Sequence, residues 1–243
     1  MRVNCLVVVL STVAATGSIA HAHFALNAPP AYSMQDSLGL PLKSAPCGQA
    51  DPGTPVVPTN IVTSFHEGDT ITITVNETIF HPGHYRVALA TDQNGLPADP
   101  TVTAGATPCG TAVIQDSTTA GVLVDDMLDH TTAFAGPQSF QVQLPTGMTC
   151  TNCTLQVIEF MADHGLNNPG GCFYHHCAQL SILPQNVPLP DAGTPGNPGT
   201  SDAGTGHPAT TTGGCSGCNA RGSGGVLALV IAVGGLVLAR RRR

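Results

Sequence analysis

The chain has 243 residues, of which only 9% are charged, and it contains 28 Gly, 20 Pro, 9 Cys and no Trp. Few Lys and many Gly and Pro argue against long amphipathic helices, whose surfaces normally carry Lys, Glu and Arg. The net charge of −7 argues against nucleic acid as a partner, because that binding depends on cations that neutralise phosphates. Nine cysteines without a repeated zinc-type spacing indicate disulfides and an oxidising compartment.

The N-terminus has the pattern of a secretory signal peptide. Arg2 supplies a positive charge, and residues 6–15 form an apolar stretch of the length typical of such signals. The small-residue pattern Ala20-His21-Ala22 follows. We therefore predict a signal peptide over residues 1–22 and a mature chain that begins with His23.

The central region, residues 23–183, has the pattern of an all-β domain. Residues 70–75 (TITITV) are all β-branched and alternate strictly between polar Thr and apolar Ile or Val, as a half-buried strand does. No segment has convincing helical periodicity. About seven short strands in 161 residues predict a two-sheet β-sandwich of immunoglobulin or fibronectin type with disulfides. The predicted strands are 70–75, 84–90, 138–144, 154–161 and 173–183, with weaker candidates at 111–114 and 121–124.

Six cysteines lie inside this domain, at positions 47, 109, 150, 153, 172 and 177. They predict three structural disulfides, for which fifteen connectivities are possible. The Cys150-x-x-Cys153 pair could alternatively be half of a zinc site or a redox pair. Zinc needs a second pair of similar spacing, and a thioredoxin-type pair needs a βαβ context.

The C-terminal region has the pattern of a linker followed by a surface address. Residues 184–213 are rich in Pro, Gly and Thr and predict a flexible stalk. Residues 214–243 combine a Gly-Cys-Ser-Gly-Cys motif, a short apolar transmembrane helix over 224–239 and four terminal arginines. This combination resembles the C-terminal sorting signal of myxobacterial surface proteins. The resemblance implies processing by a membrane protease and transfer to the cell surface; a plain single-pass anchor is the alternative.

Histidines are numerous in a domain whose only other cations are Lys43 and Arg86. Imidazole is a preferred ligand of copper. Three segments of the domain contain five of these histidines: residues 23–30 (HFALNAPP), 81–90 (HPGHYRVALA) and 172–177 (CFYHHC). Together they resemble the lytic polysaccharide monooxygenases and their copper-binding relatives. That superfamily begins its mature chain with His, has a second His in an H-x-G segment entering a strand, and has a Y-x-x-C segment on its last strand.

The resemblance implies a mononuclear copper held by His23 and His81, with Tyr174 at the axial position. An N-terminal His offers its α-amine and a ring nitrogen to one metal, and a second His adds a third nitrogen, which suits copper. His84 is the alternative to His81, but residues three apart on a strand face opposite sides. His164 matches a hydrogen-bonding role near the oxidant.

The chain departs from the family at Cys172, where the family has a glutamine two residues before the axial tyrosine. Asp163 or another carboxylate could instead complete the site, as in relatives that bind copper without oxidising sugar. We expect His175 and His176 to be a surface pair, with a copper-loading patch as the alternative. Asp125, Asp126 and Asp129 predict a solvated acidic loop, with calcium binding as the alternative.

The resemblance implies oxidative cleavage of a polysaccharide substrate with electrons from an external donor. A non-catalytic copper-binding surface protein with the same ligands is the second hypothesis, and a structural sandwich with incidental histidines is the third. The absence of Trp and the presence of only three Tyr favour the second over the first, because sugar-binding faces usually expose aromatic rings.

Overall fold

The fold is known from a computed structural model, which describes residues 23–49, 55–116 and 118–190. These residues form ten β-strands and one 3₁₀ turn at Gln93–Gly95. The predicted all-β class is therefore confirmed. The strands are β1 (His23–Ala28), β2 (Val62–His66), β3 (Thr70–Ile79), β4 (Gly83–Ala90), β5 (Val102–Thr103), β6 (Thr111–Ala112), β7 (Val122–His130), β8 (Gln138–Gln143), β9 (Cys150–Met161) and β10 (Phe173–Leu183).

Two sheets form the sandwich. One has three antiparallel strands in the order β1-β3-β8. The other has five strands in the order β2-β10-β9-β4-β7, in which only the β2–β10 pair is parallel. Strands β5 and β6 form a separate two-stranded ribbon. The strands β1, β2 and β5 were not predicted from the sequence, because none of them shows the long alternation that marks β3.

The core lies between the sheets and follows from strand alternation. In β3, the alternating residues Ile71, Ile73 and Val75 are buried, whereas Thr70 and Thr72 are exposed. In β4 and most of β9 and β10, both faces are buried. Loops therefore cover the outer face of the five-stranded sheet, which makes a second buried layer.

Arg86 anchors this second layer. Its guanidinium donates hydrogen bonds to the Ala98 carbonyl (2.9 Å), to Gln156 Oε1 (2.7 Å) and to the Gln115 side chain. Gln156 in turn donates to the carbonyl of Pro46 at 2.8 Å. Burial lowers the pKa of Arg86. The network attaches the loops that contain Pro46, Ala98 and Gln115 to the outer face of β4 and β9.

Three disulfides are present, as predicted: Cys47–Cys177, Cys109–Cys172 and Cys150–Cys153. The zinc alternative for Cys150 and Cys153 is wrong, because the two sulfurs are bonded to each other within β9. The described residues contain no α-helix, so this pair also lacks the βαβ context of a thioredoxin-type redox pair. The first two bridges attach loops to β10 and to the segment that leads into it.

The predicted signal peptide (1–22) and sorting segment (214–243) lie outside the described residues, as does most of the predicted linker. Its described start, residues 184–190, has no strand or helix, and His66 Nε2 donates to the Val187 carbonyl at 2.8 Å. Within the described ranges, no helix is long and apolar enough to span a membrane.

Candidate metal centre

His23 lies at the beginning of β1, at one end of the sandwich. It is 4% exposed and pairs in register with Ile79 at the end of β3, with a register shift between His23 and Phe24. Such irregularities re-aim side chains at strand ends. The Thr78 hydroxyl holds the His23 carbonyl at 3.0 Å. The His23 ring stacks on the Tyr174 ring, with centroids 5.3 Å apart and an interplanar angle of 20°.

His81 lies in the turn between β3 and β4, two residues after the register partner of His23. Its backbone N–H donates to Glu77 Oε1 at 3.1 Å. Its ring lies perpendicular to the ring of His164, with centroids 4.6 Å apart. The pairing of β1 with β3 thus brings His81 and His164 to the end of the sandwich where His23 contacts Tyr174.

His84 belongs to a different cluster. Its Nε2 lies 3.6 Å from Asp125 Oδ1, and its ligand atom lies within 4.8 Å of those of Asp126 and Asp129. It also lines an open pocket of about 320 Å³ with Asp163. Because His84 and Asp163 both face this pocket, His81 remains the better candidate for a metal ligand beside His23.

Tyr174 is completely buried at the start of β10, and its hydroxyl donates to Asn167 Oδ1 at 3.3 Å. Cys172, at the family's glutamine position, is bonded to Cys109 and offers no polar side-chain group. The side chain in register with Tyr174 on β9 is Glu159, which is fully buried.

The expectation that His175 and His176 form a surface pair is wrong, since both are fully buried. Strand alternation sends them to opposite faces of β10, so they cannot form a joint copper-loading patch. His175 Nε2 donates to Asp99 at 2.9 Å in the outer layer. His176 Nε2 donates to the Phe24 carbonyl at 2.9 Å inside the core, and burial lowers its pKa to about 4.

The three aspartates do not form a loop, which corrects a second expectation. Asp125, Asp126 and Asp129 lie on the edge strand β7, where Asp126 has a φ of 58°. Asp126 and Asp129 are exposed, whereas the Asp125 side chain is buried and accepts a hydrogen bond from Gln115 N at 2.8 Å.

A buried polar cluster was missed by the sequence reading. Glu77, His130 and Glu159 place ligand atoms within 4.8 Å of one another. The signal was present: Glu77 continues the buried alternation 71, 73, 75, and Glu159 continues 155 and 157. A carboxylate in the core-facing phase of a strand indicates a polar site inside the sandwich.

The residue types at this end of the sandwich are ones that copper binds. His23 and His81 would supply imidazole nitrogens, and His23 would add its α-amine after signal removal. Imidazole and amine nitrogens suit this metal.

No protein-family model matches the sequence, and no curated protein matches it. One similar solved structure is the AA15 lytic polysaccharide monooxygenase from Thermobia domestica in the Cu(I) state. It is 18% identical, with a TM-score of 0.43, over 66% of this chain and 98% of that chain. Another is a chitin-binding domain from Burkholderia pseudomallei, 8% identical with a TM-score of 0.37 over 67% of this chain and 100% of that one. At these values neither likeness assigns a ligand or a substrate to this chain.

Proposed function

We propose that residues 23–183 form an exported copper protein that cleaves a polysaccharide oxidatively, with the copper held by His23 and His81. The observation that carries the proposal is the stacking of His23, the predicted first mature residue, on Tyr174 beside the turn that contains His81. Copper bound there would supply the activation of dioxygen or peroxide that C–H oxidation needs.

The chain's own residues have separable roles in this proposal. His23 and His81 hold the metal, and Thr78 fixes the His23 carbonyl at 3.0 Å. Tyr174, buried against the His23 ring, would shield one side of the metal from solvent. His164, whose ring lies perpendicular to that of His81, would offer a hydrogen bond to the oxidant.

Two exposed apolar side chains adjoin these residues in the chain. Phe80, which precedes His81, is 36% exposed, and Leu166, two residues after His164, is 66% exposed. Phe80 offers a ring on which a sugar could stack. The domain has only Lys43 and Arg86 against thirteen Asp and Glu, so its field favours a neutral or cationic polysaccharide over a polyanion.

A second candidate function is copper binding without turnover. Its support is the Cys109–Cys172 disulfide, which removes the polar group that the family places near the oxidant. Tyr85 and Tyr174 are also fully buried, which leaves Tyr32 as the only tyrosine for stacking on sugar.

The decisive experiment compares the mature chain with a chain that carries one extra glycine before His23. The extension keeps every side chain but turns the His23 amine into an amide, so we expect copper affinity and oxidised oligosaccharides to be lost. His81→Ala should also lose copper affinity and oxidised products. His84→Ala is the matched control and should retain copper affinity and oxidised products. The readouts are copper electron paramagnetic resonance and mass spectrometry of products from cellulose, chitin, xylan and peptidoglycan.

The outcomes separate the hypotheses. Copper binding that depends on His23 and His81, without oxidised products from any of these substrates, supports the second function. Copper affinity that is the same in all four chains overturns both.

We also propose that the chain reaches the cell surface through the signal peptide 1–22 and the sorting segment 214–243, with a sorting protease and an external electron donor as partners. N-terminal sequencing of surface-exposed protein should give His23. A different first residue would contradict the copper site as well as the cleavage position.

A further inference from the structure

The buried cluster of Glu77, His130 and Glu159 joins three strands of both sheets. Glu77 comes from β3, His130 ends β7 and Glu159 lies in β9. The side chains of Glu77 and His130 are only 2% and 5% exposed, and Glu159 is 0% exposed. The cluster shares no residue with the candidate copper ligands, and one hydrogen bond joins the two sites, from the His81 backbone N–H to Glu77 Oε1.

The hydrogen bonds of His130 require a proton or a metal ion between its ring and Glu77. Its Nδ1 lies 2.8 Å from the Leu128 carbonyl, which can only accept, so Nδ1 carries a hydrogen. In a neutral ring Nε2 then has a lone pair, yet it lies 3.0 Å from Glu77 Oε1. Either a proton or a metal ion must lie between these two acceptors.

Glu159 provides an independent indication. Neither of its carboxyl oxygens makes a hydrogen bond of regular geometry, although the residue is completely buried. Burial, followed by the charge of Glu77, raises the pKa of Glu159, against the smaller opposing effect of the Tyr85 hydroxyl beside it. An unsatisfied carboxyl in an apolar interior is costly, and a cation satisfies it.

We propose that this cluster is a second metal site, for a divalent cation of the zinc type, ligated by His130 Nε2, Glu77 and Glu159. Zinc takes imidazole nitrogen and carboxylate oxygen ligands at about 2.0–2.2 Å. Two carboxylates balance the charge of a +2 ion, and the imidazole ligand is neutral, so the occupied site carries no net charge. The bond from His130 Nδ1–H to a backbone carbonyl is the arrangement that metal-bound histidines usually have.

The site has a route from solvent. His130 lines the open pocket of about 320 Å³ together with Gly83 and Asp129. The exposed carboxylate of Asp129 in this pocket attracts cations towards His130. His130 is the one ligand of the three that lines this pocket, so an ion would reach the cluster past its ring.

The test uses the mature chain carrying His23→Ala, which removes the candidate copper site and keeps the two proposals independent. The protein is stripped with a chelator, incubated with Zn²⁺ and desalted, and its zinc is counted by mass spectrometry. We expect one zinc per chain. Adding Glu159→Gln, which keeps the side-chain shape, should lower zinc affinity by at least about 100-fold. Asp126→Asn is the matched control on the exposed cluster and should retain the zinc.

Zinc X-ray absorption on the His23→Ala chain gives a second readout that needs no change in the cluster. One imidazole in a shell of oxygen and nitrogen atoms supports the proposal even if Glu159→Gln fails to fold. A folded His23→Ala chain that retains no zinc overturns it, because the cluster then holds protons alone. Zinc that is insensitive to Glu159→Gln, or lost with Asp126→Asn, also overturns it.

Discussion

The Cys47–Cys177 disulfide should contribute more to stability than any other bridge of the described domain. It joins residues 130 positions apart, whereas the Cys150–Cys153 bridge joins residues only 3 apart. A cross-link reduces the entropy of the denatured chain by an amount that grows with the logarithm of loop length. This relation gives about 5 kcal/mol for the longer loop and about 2 kcal/mol for the shorter one.

The test compares two double variants, Cys47→Ala with Cys177→Ala and Cys150→Ala with Cys153→Ala. Because the chain has no Trp, unfolding in guanidinium chloride is best followed by far-ultraviolet circular dichroism, on metal-free protein. We expect the first variant to lose about 3 kcal/mol more free energy of unfolding than the second. Its denaturant slope should rise, since the released chain exposes more surface.

Equal losses in the two double variants, or a greater loss from the Cys150–Cys153 pair, would refute the reasoning. Such a result would mean that local packing, rather than the entropy of the denatured chain, determines what each bridge contributes. The loss of about 5 kcal/mol expected without the Cys47–Cys177 bridge is a large part of the free energy of unfolding of a natural domain, which is about 5–15 kcal/mol.

Three further substitutions test other parts of the structure. Gly83→Ala should prevent folding or cost several kcal/mol, because its Cβ would lie 1.8 Å from a carbonyl oxygen of β9; Gly136→Ala, with no atom within 4 Å of its Cβ, should be nearly neutral by thermal melting. Arg86→Met should lower the free energy of unfolding by about 3 kcal/mol, measured in urea, because the side-chain oxygens of buried Gln156 and half-buried Gln115 lose their donor. Thr78→Val should lower copper affinity about tenfold in a calorimetric titration, since it removes the hydroxyl that the carbonyls of His23 and Leu38 share. Unchanged affinity would remove Thr78 from the proposed site.

The fold could be predicted from sequence wherever strand alternation is strong. β3 shows it because one of its faces packs on the core and the other is solvated. The same rule could not predict the loop layer over the five-stranded sheet. A strand that is buried on both faces, such as β4, does not alternate between exposed and buried positions, so alternation says nothing about what covers it. That layer is why His175 is buried against Asp99, not exposed as expected.

The candidate site was accessible to sequence reasoning only in part. His23 and His81 were predicted as metal ligands from their motifs, which are local information. Glu159 and His130 carry no motif; they meet through pairing of β4 with both β9 and β7, which is tertiary information. The only local sign was a charged residue in a core-facing strand position.

The contact between His23 and Tyr174 crosses from one sheet to the other, since β1 and β10 belong to different layers. The affinity of a metal bound at His23 would therefore depend on the distance between the two sheets. If copper binds at His23 as proposed, linkage requires the effect to be mutual: copper would resist separation of the sheets, and a core substitution that spreads them would weaken copper binding.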